Sequence, residues 1–379
     1  MAGSSETDFE AEGLLDGLDG KEREERLALL QDLADDGAGL DELRDAAAAG
    51  RLALLPVERA LAGEGKRYTP EQIAEKSEVE EEVLRRFLTA LGLPNPAPGE
   101  KNLTDADLES AERVKAFLEI GLPEEGMLQV ARTIGMATAR IAQANRELIL
   151  EALIRPGDNE RDVALRLAAA ARHMIPLLAP ILGYAMQNHL LEQVRRDVID
   201  AAAIESGDID ASTDVGVAFA DLVDFTKLGD RVDAEQLGSV AGRFEEIAFS
   251  VAEPPVRLVK VIGDAVMMVS DDAAALAAAM LGLVDAADRE GEEFPQLRGG
   301  FSFGPTLSQG GDFYGRQVNL ASRLTGIARP GSVLTDEAGK GAAGDGFSYS
   351  FAGERKLKGI KGGVKLFRVR PAEGQTEGE

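Results

Sequence analysis

The sequence has no cysteine, only two histidines and a shortage of basic residues. Without cysteine the chain can form neither disulfide bonds nor thiolate metal sites, which fits a reducing compartment. Its 41 Lys and Arg residues face 67 Asp and Glu residues, and the net charge is −26. This excess of acidic residues argues against a general affinity for nucleic acid or for anionic membranes.

Long apolar runs are also missing. The longest, Met174 to Met186, contains two prolines and is shorter than the ~20 apolar residues that a membrane-spanning helix needs. The amino-terminal stretch is acidic and lacks the basic and apolar regions of a signal peptide. We therefore predict a cytoplasmic protein without stable membrane insertion.

The residues that are present predict two domains. A chain of 379 residues, 44% of them hydrophobic, has room for two ordinary cores. The first half carries apolar residues at helical spacing, whereas the second alternates short apolar strands with helices. We predict a flexible acidic tail at 1–20, an all-α domain at 21–198, a linker at 199–212, an α+β domain at 213–371 and a second tail at 372–379.

The second half follows the order strand, helix, two strands in a hairpin, helix and strand. This βαββαβ order is that of the ferredoxin-like fold. A further helix follows the last of these strands, and additions begin at Gly331.

A charged hairpin stands out in the second half. The stretch RLVKVIGDAVMMVS, Arg257 to Ser270, reads as two apolar strands around a tight turn that ends at Asp264. Lys260 interrupts the first strand, where a charge costs free energy unless it is paired. An upstream strand carries Asp221 and a downstream segment carries Asp312, so two carboxylates are candidate partners.

Two further polar residues follow on a predicted helix. Asn319 and Arg323 are four positions apart, which puts an amide and a guanidinium on one helical face. Together with the carboxylates and Lys260, these residues offer three kinds of contact. Carboxylates can bind a hard divalent metal, and a lysine donor and a carboxylate acceptor can contact a nucleotide base. The amide and the guanidinium can stabilise negative charge that develops on a phosphate.

Three motifs in these stretches resemble those of a known family. They read FADLVDFT, KVIGD and DFYGRQVNLASR. The class III nucleotidyl cyclases show F-x-D-L-x-x-F-T, K-x-I-G-D and D-x-x-G-x-x-V-N-x-A-S-R in the same order. Three matches in order over about 110 residues are far more specific than any one alone. The resemblance covers roughly residues 213–371 and is silent on the first half.

The resemblance implies a reaction and a set of roles. The ribose 3′-oxygen of a nucleoside triphosphate would attack the α-phosphorus and pyrophosphate would leave. Asp221 and Asp264 would hold two divalent metal ions, Mg²⁺ or Mn²⁺. Asn319 would orient the ribose, and Arg323 would neutralise charge on the α-phosphate.

Base choice follows from donors and acceptors. Adenine presents an acceptor at N1 and a donor at N6, so Lys260 and Asp312 are complementary to it, and we predict ATP as substrate. In the carboxy-terminal run, Lys358 and Lys361 are both candidates to contact the triphosphate. The local pattern departs from the family there, because Gly363 stands where many relatives have proline.

The hairpin also predicts an assembly. Lys260 lies on its first strand and Asp264 at its turn, so one chain cannot easily wrap both around one nucleotide. Family members form head-to-tail dimers that share metal carboxylates from one subunit with base, Asn and Arg contacts from the other. We therefore predict a homodimer with two shared active sites.

The first half suggests regulation. His173 and His189 both lie in the apolar helical segment before the linker. They are either packed, hydrogen-bonded core or interface residues, or a pH sensor whose imidazoles gain charge on acidification and disturb the packing. Some actinobacterial cyclases that the chain resembles carry a helical inhibitory domain that responds to acid. The same Met- and Leu-rich helices could instead enclose a small apolar ligand such as a fatty acid.

A helix-turn-helix resemblance leaves another function open. Tyr68 to Pro94 resembles the opening of MerR-type DNA-binding regulators, with Thr69 and Pro70 at a helix start. Its second helix is rich in glutamate, which disfavours DNA and favours a structural module. The alternatives to a regulated adenylyl cyclase are a MerR-like regulator with a cyclase-like sensory half, and a cyclase-fold sensor that binds nucleotide without turnover.

Overall fold

The protein consists of two compact units, residues 1–198 and 199–379. The computed structural model describes residues 8–62, 66–196 and 212–372. The predicted linker, apart from Ser212, and residues 373–379 of the predicted second tail lie outside the described residues.

The first unit is helical, as predicted. In its described part the helices are α1 (Gly20–Asp35), α2 (Leu40–Ala48), α3 (Leu55–Ala62), α4 (Pro70–Ser77), α5 (Glu81–Ala90), α6 (Asp105–Glu119), α7 (Glu124–Leu153) and α8 (Glu160–Arg196).

The predicted acidic tail is wrong for residues 8–19, which pack against the helices. Phe9, Leu14 and Leu15 are at most 7% exposed and join Leu29 and Leu30 in one apolar cluster. Burying an apolar side chain of this size contributes roughly 1.5–3 kcal/mol, which is enough to order a short acidic segment. Residues 1–7 lie outside the described range.

The helix-turn-helix segment begins where the sequence predicts. The Thr69 hydroxyl accepts a hydrogen bond from the Gln72 backbone, the Gln72 side chain accepts one from the Thr69 backbone, and Pro70 opens α4. Ile73 is fully buried and Leu84 is 5% exposed. The first turn of α5 is acidic, which favours a structural module over a DNA-binding helix.

Helix α8 is continuous through both of its prolines. Its residues Arg161–Arg195 are long and apolar enough to cross a membrane, with 11% of the most apolar window buried. This match rests on length and composition alone, properties that core helices of globular proteins share. The absence of membrane insertion stays a prediction.

The second unit alternates strands and helices. Its elements are β1 (Ser212–Leu222), α9 (Phe225–Gly229), α10 (Ala234–Val251), β2 (Arg257–Ile262), β3 (Ala265–Ser270), α11 (Ala273–Asp288), β4 (Leu297–Gln309), β5 (Asp312–Tyr314), α12 (Arg316–Ile327), β6 (Ser332–Thr335), α13 (Glu337–Ala343), β7 (Phe347–Lys356) and β8 (Gly363–Pro371).

These strands form one sheet in the order β2-β3-β1-β4-β6-β8-β7, with β5 paired to β4. The part β2-β3-β1-β4 is antiparallel and has the ferredoxin-like order, so that prediction is confirmed. Side chains alternate between the two faces of β1. Ala218 and Ala220 share an apolar cluster with α10 and α11, whereas Val217 and Phe219 share one with α12 and β5.

Helix α12 packs very closely on β4. A Cβ atom at Gly300 would lie 2.6 Å from both the Leu324 Cβ and the Thr325 backbone nitrogen. Thr325 also donates a hydrogen bond from its hydroxyl to the Phe219 carbonyl on β1. The absence of a side chain at position 300 therefore fixes how closely the helix approaches the sheet.

Candidate active site

The two predicted metal carboxylates are on neighbouring strands. Asp221 ends the pairing of β1 with β3, opposite Ala265, and Asp264 precedes Ala265 in the hairpin turn. Gly263 has a φ of +63°, which makes the tight turn possible. The Leu222 backbone N–H donates to the Asp264 carbonyl at 2.9 Å and joins the two segments. The fold thus brings Asp221 and Asp264 together as predicted.

A residue that the sequence analysis missed, Arg298, pairs with Asp221. Its Nε lies 2.6 Å from Oδ1 and its Nη2 lies 3.0 Å from Oδ2, a two-point contact. This hydrogen bonding raises the pKa of Arg298. The signal in the sequence was a lone arginine at the start of the apolar strand RGGFSFG.

Divalent metal ions fit the donors at this end of β1. The carboxylates of Asp221 and Asp264 supply the hard oxygen ligands that Mg²⁺ and Mn²⁺ prefer. No cluster of three or more metal-binding side chains occurs among the residues that the structure describes. Two carboxylates suffice where substrate phosphates and water complete the coordination.

The predicted base-binding pair forms within one chain. Lys260 Nζ lies 2.5 Å from Asp312 Oδ2, and both side chains are about one-third exposed. Of the two candidate partners for Lys260, the structure selects Asp312, whereas Asp221 pairs with Arg298. A charge in an apolar strand is thereby paired, as its position required.

The short strand β5 brings Asp312 to Lys260. Glycines 310 and 311 turn the chain back after β4, both with positive φ. Phe313 is then buried against Val217, Met267 and Ala321, while Arg257 lies over its ring at 5.6 Å. This apolar contact adds to the backbone pairing with β4 in holding β5 in place.

Asp312 remains an acceptor at neutral pH. Burial alone would raise its pKa, but hydrogen bonds from Lys260 and from the Phe313 backbone hold the pKa of Asp312 below its usual range. The carboxyl group is therefore ionised throughout the physiological pH range.

Asn319 and Arg323 lie on exposed positions of α12. The Asn319 amide donates to the Gly315 carbonyl at 3.2 Å. Gly315 caps the helix with a φ of +144°, a conformation that favours glycine. Arg323 makes no ion pair within the described part of the chain and is available to an anion.

Lys358 and Lys361 lie in the exposed turn between β7 and β8. Leu357 and Ile360, from the same turn, pack against Leu324 of α12 in an apolar cluster. The turn that carries both lysines is thus attached to the helix that carries Asn319 and Arg323.

The two histidines are exposed within the first unit. His173 Nδ1 lies 2.8 Å from the Ala169 carbonyl on its own helix, and His189 is exposed one turn before the Glu192–Arg195 ion pair. The hypothesis that they are packed core residues is wrong within this unit because neither is covered. A role in an interface stays a prediction.

The prediction of a fatty acid or similar ligand gains no support. The larger cavities of the first unit, such as that of about 740 Å³ lined by Glu81, Arg85 and Arg132 among others, have charged walls that do not suit an apolar ligand. The apolar cavity lined by Leu84, Phe87 and Val114, among others, has a volume of about 40 Å³. Ligand pockets typically hold about 300–1,000 Å³.

The fold and the site define a nucleotidyl cyclase of class III. Residues 208–371 match the family model of the adenylate and guanylate cyclase catalytic domain, and residues 7–197 match that of the adenylate cyclase regulatory domain. The chain therefore belongs to the family of adenylate cyclases in which a regulatory domain precedes a class III catalytic domain. Catalytic domains of this family use divalent metal ions.

The chain is similar to curated adenylate cyclases over most of its length. The chain is 38% identical to the pH-sensitive adenylate cyclase MT1302 of Mycobacterium tuberculosis, over 97% of this chain and 94% of that protein. It is 36% identical to an adenylate cyclase of Streptomyces coelicolor, over 75% of this chain and 74% of that protein. Among solved structures, the adenylyl cyclase CyaB of P. aeruginosa superimposes with a TM-score of 0.40 and 21% identity, covering 44% of this chain and 98% of that one.

Proposed function

We propose that this protein converts ATP to 3′,5′-cyclic AMP and pyrophosphate. The observation that carries the choice of ATP is the 2.5 Å pairing of Lys260 with Asp312. An ammonium donor beside an ionised acceptor complements N1 and N6 of adenine, and guanine would present the reverse pattern. Both groups are partly exposed and therefore accessible to a base.

Each of the other candidate side chains has a separate role in the cyclisation of ATP. Asp221 and Asp264 hold the divalent ions, Mg²⁺ or Mn²⁺, which supply charge for the triphosphate and acidify the ribose 3′-hydroxyl. Asn319 orients the ribose so that its 3′-oxygen faces the α-phosphorus. Arg323 balances the charge that grows on the α-phosphate, and Lys358 or Lys361 contacts the triphosphate.

The active enzyme is a head-to-tail homodimer. The metal carboxylates of one chain face the base-binding pair, Asn319 and Arg323 of the other, so that a symmetric dimer holds two sites. This arrangement is supported by the hairpin, in which Lys260 is engaged with Asp312 and Asp264 occupies the turn. Each chain therefore carries two different halves of a site.

The helical unit regulates the catalytic unit by inhibition, and acid relieves the inhibition. Support comes from the regulatory-domain match over residues 7–197 and from the name of the pH-sensitive relative. His173 and His189 are the two histidines of the sequence, and histidine is the side-chain type that serves as a pH sensor near neutrality, so both are the candidate acid sensors.

One experiment tests both the cyclisation of ATP and the sharing of active sites between two chains. Full-length chains with Asp221→Ala and with Asn319→Ala are assayed separately and after mixing, with ATP and Mn²⁺, by quantifying cyclic AMP. Each variant alone should lose at least about a hundredfold in rate, because each lacks one half of both sites. Equal mixing should restore about a quarter of the wild-type rate, since half of the dimers regain one of two sites.

The controls separate the two claims. The proposed activity would be contradicted if the wild-type protein produced no cyclic AMP, either as the full chain or without its first 204 residues. Activity in the wild type without rescue on mixing would contradict the shared sites only. Chain exchange is checked by mixing differently tagged chains and isolating both together.

A further inference from the structure

Arg298 occupies a junction between the two halves of the site. Its Nε and Nη2 bind both oxygens of Asp221, and its Nη1 lies 3.3 Å from the Gly326 carbonyl in the last turn of α12. One guanidinium thus connects a metal carboxylate to the helix that carries Asn319 and Arg323. No role for Arg298 follows from the three sequence motifs, because it lies outside them.

The contact between Arg298 and Asp221 is half-buried. The side chains of Arg298 and Asp221 are 31% and 22% exposed, and the fork is planar and pre-organised for a carboxylate. Asp224 and Asp264 also act on Arg298 electrostatically. Asp224 has its own cation, Lys227, at 2.8 Å. Arg298 is thus the cation paired with Asp221, and its charge offsets the repulsion between Asp221 and Asp264.

We propose that Arg298 is a positioning residue that competes with the metal for Asp221, an inference that rests on the proposed cyclase function. Before metal binds, the guanidinium holds Asp221 and offsets its repulsion of Asp264. A cation that binds Asp221 must share or displace one of the two N–H contacts, because both carboxylate oxygens are engaged.

The contact between Arg298 and the Gly326 carbonyl extends the effect of this competition to α12. When Arg298 shifts at Asp221, its bond to Gly326 shifts at the end of α12. In the proposed dimer, Asp221 serves one active site and α12 of the same chain serves the other. Arg298 therefore couples metal binding at one active site to α12 of the same chain, which serves the other active site. The coupling runs through direct contacts.

The decisive variant is Arg298→Gln in the full-length chain. Removing one positive charge beside the carboxylates should tighten Mn²⁺ binding about tenfold. Mn²⁺ is titrated by electron paramagnetic resonance, first alone and then with 3′-deoxy-ATP, which lacks the attacking hydroxyl. At saturating metal, kcat for ATP should fall at least tenfold, because Asp221 and α12 lose their connection, while KM for ATP changes less.

Two comparisons keep the test specific. Arg298→Lys retains the charge but not the fork, so its Mn²⁺ affinity should stay within about twofold of wild type while kcat falls. Arg243→Gln removes a similar two-point contact, in which Nε and Nη2 of Arg243 on α10 bind Glu290, just after α11, at 3.0 and 2.8 Å. That control should change neither Mn²⁺ affinity nor kcat.

Unchanged or weaker Mn²⁺ binding by Arg298→Gln would overturn the competition. If that variant fails to fold, as circular dichroism would reveal, the Lys variant decides: normal kcat with lysine would refute a positioning role. The metal titrations require no turnover. The Mn²⁺ titrations could therefore be interpreted even if the protein did not cyclise ATP. Conversely, a finding that replacing Arg298 has no effect would not contradict the cyclase activity.

Discussion

Two of the residues in the candidate active site are cations that lie within apolar strands. Lys260 on β2 and Arg298 on β4 each bind one carboxylate, Asp312 and Asp221 respectively. The same argument, that a charge in an apolar strand needs a partner, applies to both. Only Lys260 was recognised from the sequence, because Arg298 lies near the start of its strand and its partner is 77 residues away.

Exchanging the base-binding charges should change the nucleotide. In a chain with both Lys260→Asp and Asp312→Lys, donor and acceptor trade places, which complements guanine instead of adenine. We expect kcat/KM for ATP to fall at least a hundredfold and the ratio of GTP to ATP turnover to rise at least tenfold. Steady-state kinetics with both nucleotides measure the change.

The matched control is Lys365→Gln, which breaks an exposed ion pair with Glu337 on the outer part of the sheet. It should leave nucleotide preference unaltered. An undiminished preference for ATP in the exchanged chain would mean that this pair does not contact the base.

The elements themselves were largely predictable from their periodicity. The hairpin and the long helices follow from the spacing of their apolar residues. The end of β4 was not predictable: the apolar run RGGFSFG ends at Gly304, yet the strand continues to Gln309 with a φ of +145° at Gly304. Burial of Phe313 beyond the turn outweighs those local signals.

A methyl group at Gly300 should separate α12 from β4. The close contacts with Leu324 and Thr325 leave no room for a Cβ atom, so Gly300→Ala should lower the free energy of unfolding by about 2–4 kcal/mol. Because α12 carries Asn319 and Arg323, kcat should fall as well. Chemical denaturation of the full chain measures the stability, and cyclic AMP production measures the rate.

Gly282→Ala on α11 is the control, since a Cβ atom there meets nothing within 4 Å. Alanine within a helix is more favourable than glycine by roughly 0.5–1 kcal/mol, so this variant should be slightly more stable. Equal stability changes in the two variants would refute the close approach of α12 as the cause.

In the whole molecule, the first of the two units matches the regulatory-domain family model and the second matches the catalytic-domain model. The composition and the motifs sufficed to identify the catalytic half and to predict a helical regulatory half. They did not reveal that residues 8–19 fold onto the helices, because three buried apolar side chains lie among acidic ones. Burial depends on distant partners, which local composition does not contain.

Removing the first unit should abolish the response to acid. The activity of the full chain should rise several-fold as the pH falls from about 8 to 6, since histidine charges in this range. Residues 205–379 should be more active than the full chain at pH 8 and should lack this rise. Cyclic AMP production across pH measures both.

His189→Ala in the full chain should flatten the profile if His189 is the sensor, whereas His173→Ala reports on the other histidine. Asp312 does not account for a change near neutrality, because its lowered pKa keeps it ionised there and its charge is lost only in strong acid. A fragment with the same pH profile as the full chain would contradict regulation by the helical unit.

The central position of β1 has a consequence for how the enzyme fluctuates. This strand is hydrogen-bonded along both edges, to β3 and to β4, whereas β7 is bonded only to β8. Backbone amides in such a doubly bonded strand exchange with solvent only when the sheet as a whole opens, while an outer strand frays on its own. Asp221, the proposed metal ligand, therefore ends a strand that opens only with the sheet. The turn between β7 and β8, which carries Lys358 and Lys361, can move without opening β1.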